Sequence, residues 1–139
     1  MRVQVGDEHY GVYFEYEPAE FLVRAFEHDL RKVYPDEDTV QEFLSDIEFD
    51  GDAPRDVFCA IDRLIPGPDG QFVTADEIAE DRAQVSKHDK YDKLVGRKLA
   101  FSRAVNQIQD RALRTALWTA FLSSHYIRTG DGAKRKVVQ

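Results

Sequence analysis

Val3 and Val5, then Tyr10, Val12, Phe14 and Tyr16, alternate with polar residues on either side of Gly6-Asp7-Glu8-His9. A period of two, carried by β-branched and aromatic residues around a polar turn, predicts a β-hairpin. The period then changes. Leu22, Ala25, Phe26, Leu30 and Val33 recur at three- and four-residue steps, which predicts a helix over 19–34 with Pro18 in its first turn and Pro35 as its stop. Thr39 and Glu42 have the spacing of a capping box, and Val40, Phe43, Leu44 and Ile47 form an apolar stripe. A second, shorter helix is expected over about 38–48. Asp50-Gly51-Asp52-Ala53-Pro54 breaks it, and Val57, Cys59 and Ile61 alternate in a third strand running to Ile65.

Pro66-Gly67-Pro68-Asp69-Gly70 is a strong turn. Thr74-Ala75-Asp76-Glu77 has capping-box spacing and predicts a short helix to about Asp81, with a strand through Phe72 and Val73 as the alternative and a fourth strand at 83–87. Asp89 is expected to cap a helix to about Ile108, and Asp110 another to about Arg128. On the last, Leu113, Ala116, Leu117, Ala120, Phe121 and Ser124 share a face. Gly130 fits a C-cap. The fold expected is α+β: a small antiparallel sheet, the N-terminal hairpin plus one or two strands, with helices mainly on one face and a C-terminal helical hairpin. One domain over 1–130 is followed by a flexible basic tail, 131–139.

Length supports this, since 139 residues suffice for one core without disulfides or metal. The single cysteine, Cys59, excludes an internal disulfide framework and any CxxC motif. The chain starts directly in a strand-like pattern, and its apolar runs are only a few residues long, so a cytoplasmic protein without membrane contact is expected.

Charge changes the picture most. Residues 1–86 hold 7 Lys and Arg against 22 Asp and Glu (-15), and residues 87–139 hold 12 against 4 (+8). Such asymmetry points to a polyanion or an acidic protein as partner for the basic end, or to two halves that neutralise each other.

Several apparent sites fail on spacing. Asp46 to Asp52 begins like an EF-hand loop, but position twelve is Val57, so the ligand that closes a calcium shell is missing. Asp69-Gly70-Gln71-Phe72-Val73-Thr74 has Ile65 and Gly67 at its upstream ligand positions, and a turn explains it better. His88 and Asp92 stand at i and i+4 without a third ligand. Cys59 alternates with Val57 and Ile61, which sends it into the core. Ser123, Ser124 and His125 are adjacent on a helix and cannot face one another. No phosphate loop, dinucleotide fingerprint or nucleophile elbow is present. Neither an enzyme nor a cofactor or metal site is expected.

What remains is the basic helix. At 100° steps Lys90, Lys93 and Arg97 form a stripe about 60° wide beside Leu94, Phe101, Val105 and Ile108. On the following helix Arg111, Arg114, Trp118, Leu122 and His125 lie away from the apolar face, which leaves Trp118 either between exposed arginines or packed beneath the hairpin. Lys90, Lys93, Arg97, Arg111, Arg114 and Trp118 are therefore the candidate nucleic-acid or partner-binding residues.

Residues 93–105, KLVGRKLAFSRAV, preceded by AQVSKHD at 83–89, resemble a block in short uncharacterised proteins of tailed bacteriophages. There a strand leads into D-x-(F/Y)-x-(K/R)-x-x-G-R-x-x-A-x-x-R-A and often a second helix. The resemblance covers about residues 83–121 and implies a viral origin with no catalytic residues; the acidic N-terminal part has no counterpart in it. Gly96 costs about 1 kcal/mol within a helix, so a packing reason is expected, a seam with Ala100 and Ala104 that lets the last helix approach. The functional expectation is a non-catalytic accessory protein that binds nucleic acid or a nucleoprotein through the basic face. The alternative is an inhibitor of a host protein, whose acidic surface over residues 1–52 imitates a polyanion.

Overall fold

The structure, a computed structural model, describes residues 1–88, 90, 92–128 and 134–136, with residues 125–128 and 134–136 described by their backbone alone. β1 (Arg2–Val5) turns through Gly6 and Asp7 into β2 (Glu8–Pro18), and Val5 pairs with Glu8. Gly6 has φ +61° at the first turn position, a conformation that glycine adopts without steric cost. Helices α1 (Glu20–Val33) and α2 (Glu37–Asp46) follow, then β3 (Arg55–Pro66), β4 (Phe72–Ala83), α3 (Lys93–Val105) and α4 (Arg111–His125). The main sheet is an antiparallel meander in the order β1-β2-β3-β4. Backbone pairing also joins β5 (Tyr126–Arg128) to β6 (Lys134–Lys136), the latter inside the stretch expected to be a tail. Gly130 lies outside the described residues. The fold is α+β, as the periodicity predicts.

Alternation along the strands decides which face is buried. Val12, Val57, Cys59, Ile61, Ala79 and Ala83 point to the side covered by α3 and α4. There they meet Ala100, Phe101, Ala104, Val105, Leu113, Leu117 and Phe121, all buried. α3 lies across β3 and β4, and α4 lies against β1. The Phe101 ring stacks on Phe121 at 4.4 Å and meets the edge of Trp118 at 4.8 Å, which joins the two helices.

Six features differ from the sequence expectation. Pro18 closes β2, pairing with Arg55, and Ala19 rather than Pro18 introduces α1. Asp36, not Thr39, caps α2: its carboxylate accepts from the Thr39 backbone N–H and hydroxyl. No helix forms over 74–81. Residues 72–83 make one long strand, because ten of the twelve pair with β3, which engages their backbone and the side chains a cap would use. Thr74 donates to Asp62 at 3.1 Å, and Asp76 pairs with Arg63 at 2.8 Å. Of the strand expected over 83–87 only Ala83 is strand, as the end of β4. Asp92 caps α3, accepting from the N–H groups of Leu94 and Val95, so the helix begins later than an Asp89 cap implies; Asp89 is outside the described residues. α4 ends at His125, before Tyr126–Arg128 turn to strand.

Gly96 does have a packing reason, but the neighbour is the sheet and not the last helix. A Cβ there would lie 2.9 Å from Val57 Cγ2, and Val57 is itself buried and cannot give way. Replacing Gly96 by Ala gains about 1 kcal/mol of helix propensity but meets an overpacking cost of about 1 to 3 kcal/mol. Gly96→Ala is therefore expected to destabilise by about 1 kcal/mol in urea unfolding. In a Val57→Ala background, where the obstructing methyls are gone, the same substitution should be stabilising.

The free edge of β4 is protected by α3 and the turn after it. The Gln107 side-chain amide donates to Glu80 O at 2.7 Å and accepts from Glu80 N at 3.4 Å, in the manner of a neighbouring strand. Arg103 donates to Arg82 O at 2.9 Å. These bonds use the groups through which a foreign strand would pair.

Candidate functional site

The six residues expected to form a basic binding face differ in their surroundings. Lys93 Nζ lies 4.6 Å from the centre of the Tyr16 ring, and the Arg97 guanidinium 4.5 Å from that of Phe14. Both cations thus reach across α3 onto aromatic rings of β2, although Lys93 stays solvent-accessible. Arg114 Nη1 donates to the carbonyls of Ile108 at 2.7 Å and Gln109 at 2.8 Å, which satisfies backbone acceptors in the α3–α4 connection. Trp118 is half-buried, its ring set edge-on to Phe101 and Phe121. Arg111 and Lys90 are exposed. Lys90 borders a hollow of about 320 Å³ with Arg55, Asp92, Val95 and Leu99.

Cys59 is buried as its alternation predicts, and burial pushes its thiol up to about 12 despite the nearby charge of Arg97. His88 precedes α3 while Asp92 caps it, so the two do not share a helical turn. Among the described residues no group of three His, Cys, Asp or Glu side chains is placed to hold a metal ion, and no helix is long and apolar enough to cross a membrane.

The acidic part is organised differently. α1 and α2 pack on each other, with Leu30 and Val40 buried between polar surfaces. From Asp36 to Asp52 the chain carries eight Asp and Glu and neither Lys nor Arg, and all eight carboxylates are exposed. Amid them Phe43, 44% exposed, stacks on Tyr34 at 5.2 Å, and Val33 beside Tyr34 is 69% exposed. The pair is therefore a negatively charged projection with an apolar patch on it. Arg31 ties its two helices together, pairing with Glu27 on its own helix and with Glu37 on the next.

That tie has a pH signature. Hydrogen bonds from Arg31 and then Gln41 hold the Glu37 carboxyl down, from 4.5 to about 2. A depressed folded-state value means the contribution is present above about 4.5 and is lost as pH falls toward 2. In a carbon-detected NMR titration Glu37 should titrate well below 4.5, and Arg31→Ala should return it toward that value; an unchanged midpoint would refute the tie.

A second acidic surface lies on the face of the sheet opposite α3 and α4. Tyr13, Glu15, Phe58, Ala60, Glu77 and Glu80 surround a concavity of about 190 Å³ there. Glu77 and Glu80 are three residues apart and would point to opposite faces of a regular strand. Ile78 is an extra residue: Ala79 pairs with Ile61 while Glu77 pairs with Asp62, so both carboxylates come to one face. Tyr13 lies along its own strand over Gly11, where a Cβ would sit 2.5 Å from the tyrosine oxygen. Burial, the charge of Glu80, a hydrogen bond to it and the charge of Asp62 hold the Glu77 carboxyl above its ordinary value. Sequence reading missed this group, because a bulge has no signature in composition or period.

The end of this face is closed by Asp56, a carboxylate only 3% exposed. Its oxygens accept from Glu20 N at 3.1 Å and Val85 N at 3.0 Å. It thereby pins the start of α1 to the segment leaving β4. Comparison with protein-family models, with characterised proteins and with solved structures finds no match for the chain.

Proposed function

We propose that the protein is a non-catalytic binding protein that engages a basic partner protein through the acidic projection of α1, α2 and the loop to Asp52. The observation that carries this reading is the run of eight exposed carboxylates over residues 36–52, uninterrupted by a cation and set beside the stacked Tyr34 and Phe43. Carboxylates steer a basic surface into place, and an exposed aromatic pair supplies the apolar anchor that charge alone lacks. A surface of this kind imitates a polyanion and occupies a site that would otherwise hold one. The likeness of residues 83–121 to short tailed-phage proteins supports a bacterial host protein as the partner.

The nucleic-acid reading has less support. Lys93, Arg97 and Arg114 are each engaged with groups of the protein itself, and a face that bound DNA or RNA would have to work beside a strongly acidic surface. Capture from bacterial lysate with and without nuclease separates the two. A basic protein retained after nuclease treatment and eluted by salt, with no binding of bare DNA or RNA, is the expected result. Capture lost with nuclease, together with a steep salt dependence of DNA or RNA binding, would overturn it.

A further inference from the structure

Exposed large apolar side chains stand in two opposite electrical settings. Val33, Tyr34 and Phe43 lie on the acidic projection, where no cation interrupts the carboxylates from Asp36 to Asp52. Val95 and Leu99, 48% and 45% exposed, stand one helical turn apart on α3. With Ala83 and Val85 they line the hollow of about 320 Å³, to which Arg55 and Lys90 bring two positive charges. Asp92 borders it too, but its carboxylate caps α3, accepting from the N–H groups of Leu94 and Val95. Arg55 donates to the Asp50 carbonyl at 3.3 Å, and neither cation forms an ion pair with a described residue. The projection is thus acidic and aromatic, and the hollow basic and aliphatic, with room for an aromatic side chain.

A patch and a pocket of complementary chemistry on one molecule make a head-to-tail contact between copies. Within one chain the two cannot meet. Gln84, on the wall of the hollow, bonds to Glu20 at the start of α1, and Tyr34 lies at the other end of that 14-residue helix, about 20 Å away. The net charge of -7 opposes association at long range, but physiological salt screens charges separated by more than about 8 Å, so the opposite local charges decide at contact. We infer that the protein self-associates, with Tyr34 and Phe43 of one copy seated in the hollow between α3 and the segment leaving β4 of a second copy. The inference rests on the reading above in taking the projection as a binding element, and it adds a regulation: a basic partner and a second copy compete for that element.

The test is sedimentation velocity of the purified full chain over a concentration series, with two variants at exposed positions. One is Tyr34→Ser/Phe43→Ser on the projection, and the other is Lys90→Glu/Leu99→Gln at the hollow. Wild type should associate as concentration rises, and each variant alone should stay monomeric. Mixed one to one, the variants should form a heterodimer, because each keeps the surface that the other lacks. That restoration also shows that both variants fold, which a loss in either alone would not. Wild type that stays monomeric up to its solubility, association retained by either variant alone, or a mixture that stays monomeric would each overturn the contact. Because no partner is present, none of those outcomes bears on the binding of a basic protein, which lysate capture tests separately.

Discussion

Asp56→Ala should lower the stability of the protein by about 3 kcal/mol, the largest effect expected of a polar substitution among the described residues. The carboxylate is nearly inaccessible, and each of its oxygens accepts from one backbone N–H, those of Glu20 and Val85. Hydrogen bonds to a charged group contribute about 1.5 to 3 kcal/mol each, and alanine would leave both donors unpaired in a place shielded from water. Ala19 N still donates to Pro54 O, so α1 would loosen at its start without detaching. Asp56→Asn should fall between wild type and alanine, since its amide offers one acceptor and turns a donor toward the other N–H. Denaturant unfolding measures the loss, and amide exchange should show Glu20 and Val85 losing protection. A change below about 1 kcal/mol with protection retained would mean that these bonds are not what holds α1 in place.

Phe101→Ala should cost still more, about 3 to 5 kcal/mol, because it removes the centre of the aromatic cluster. Phe101 is fully buried, with Phe121 stacked on its face at an interplanar angle of 13° and Trp118 at its edge at 89°. No neighbour can collapse into the space without giving up its own contacts, so both the transfer term and the cavity term apply. Phe101→Leu, which keeps most of the volume, should lose less than half as much. Trp118 provides the readout: its fluorescence should report a more polar environment in Phe101→Ala before global unfolding begins.

The two predictions fall on residues that differ in how they show in the sequence. Phe101 is legible, since it recurs with Val105 and Ile108 on one face of a periodic segment. Asp56 is not: nothing in Arg55-Asp56-Val57 tells that its carboxylate will meet residues 36 and 29 positions away. The same division runs through the fold. The N-terminal hairpin, the third strand and the four helices follow from period, whereas the starts of α1, α2 and α3 do not follow from the capping patterns. β4 was obscured because Thr74-Ala75-Asp76-Glu77 satisfies a local capping pattern, and only pairing with β3 decides against it. Its bulge at Ile78, which assembles Glu77 with Glu80, is likewise a product of register.

The basic stripe teaches a related point. The helical wheel placed Lys93 and Arg97 correctly beside the buried face, but long cationic side chains on such a border can reach aromatic rings of the sheet beneath. Tyr16 and Phe14 occupy that place because β2 presents alternate residues to α3. On the acidic side, by contrast, the eight carboxylates over 36–52 stay exposed.

The reading of that surface as the binding element is tested most directly by capture from one lysate with three baits: wild type, a projection variant (Glu42→Gln, Asp46→Asn, Glu48→Gln, Asp50→Asn) and a basic-face variant (Lys90→Ala, Arg111→Ala). Wild type and the basic-face variant should retain the same nuclease-resistant basic protein, and the projection variant should lose it. Retention by the projection variant, with loss in the basic-face variant, would contradict the account.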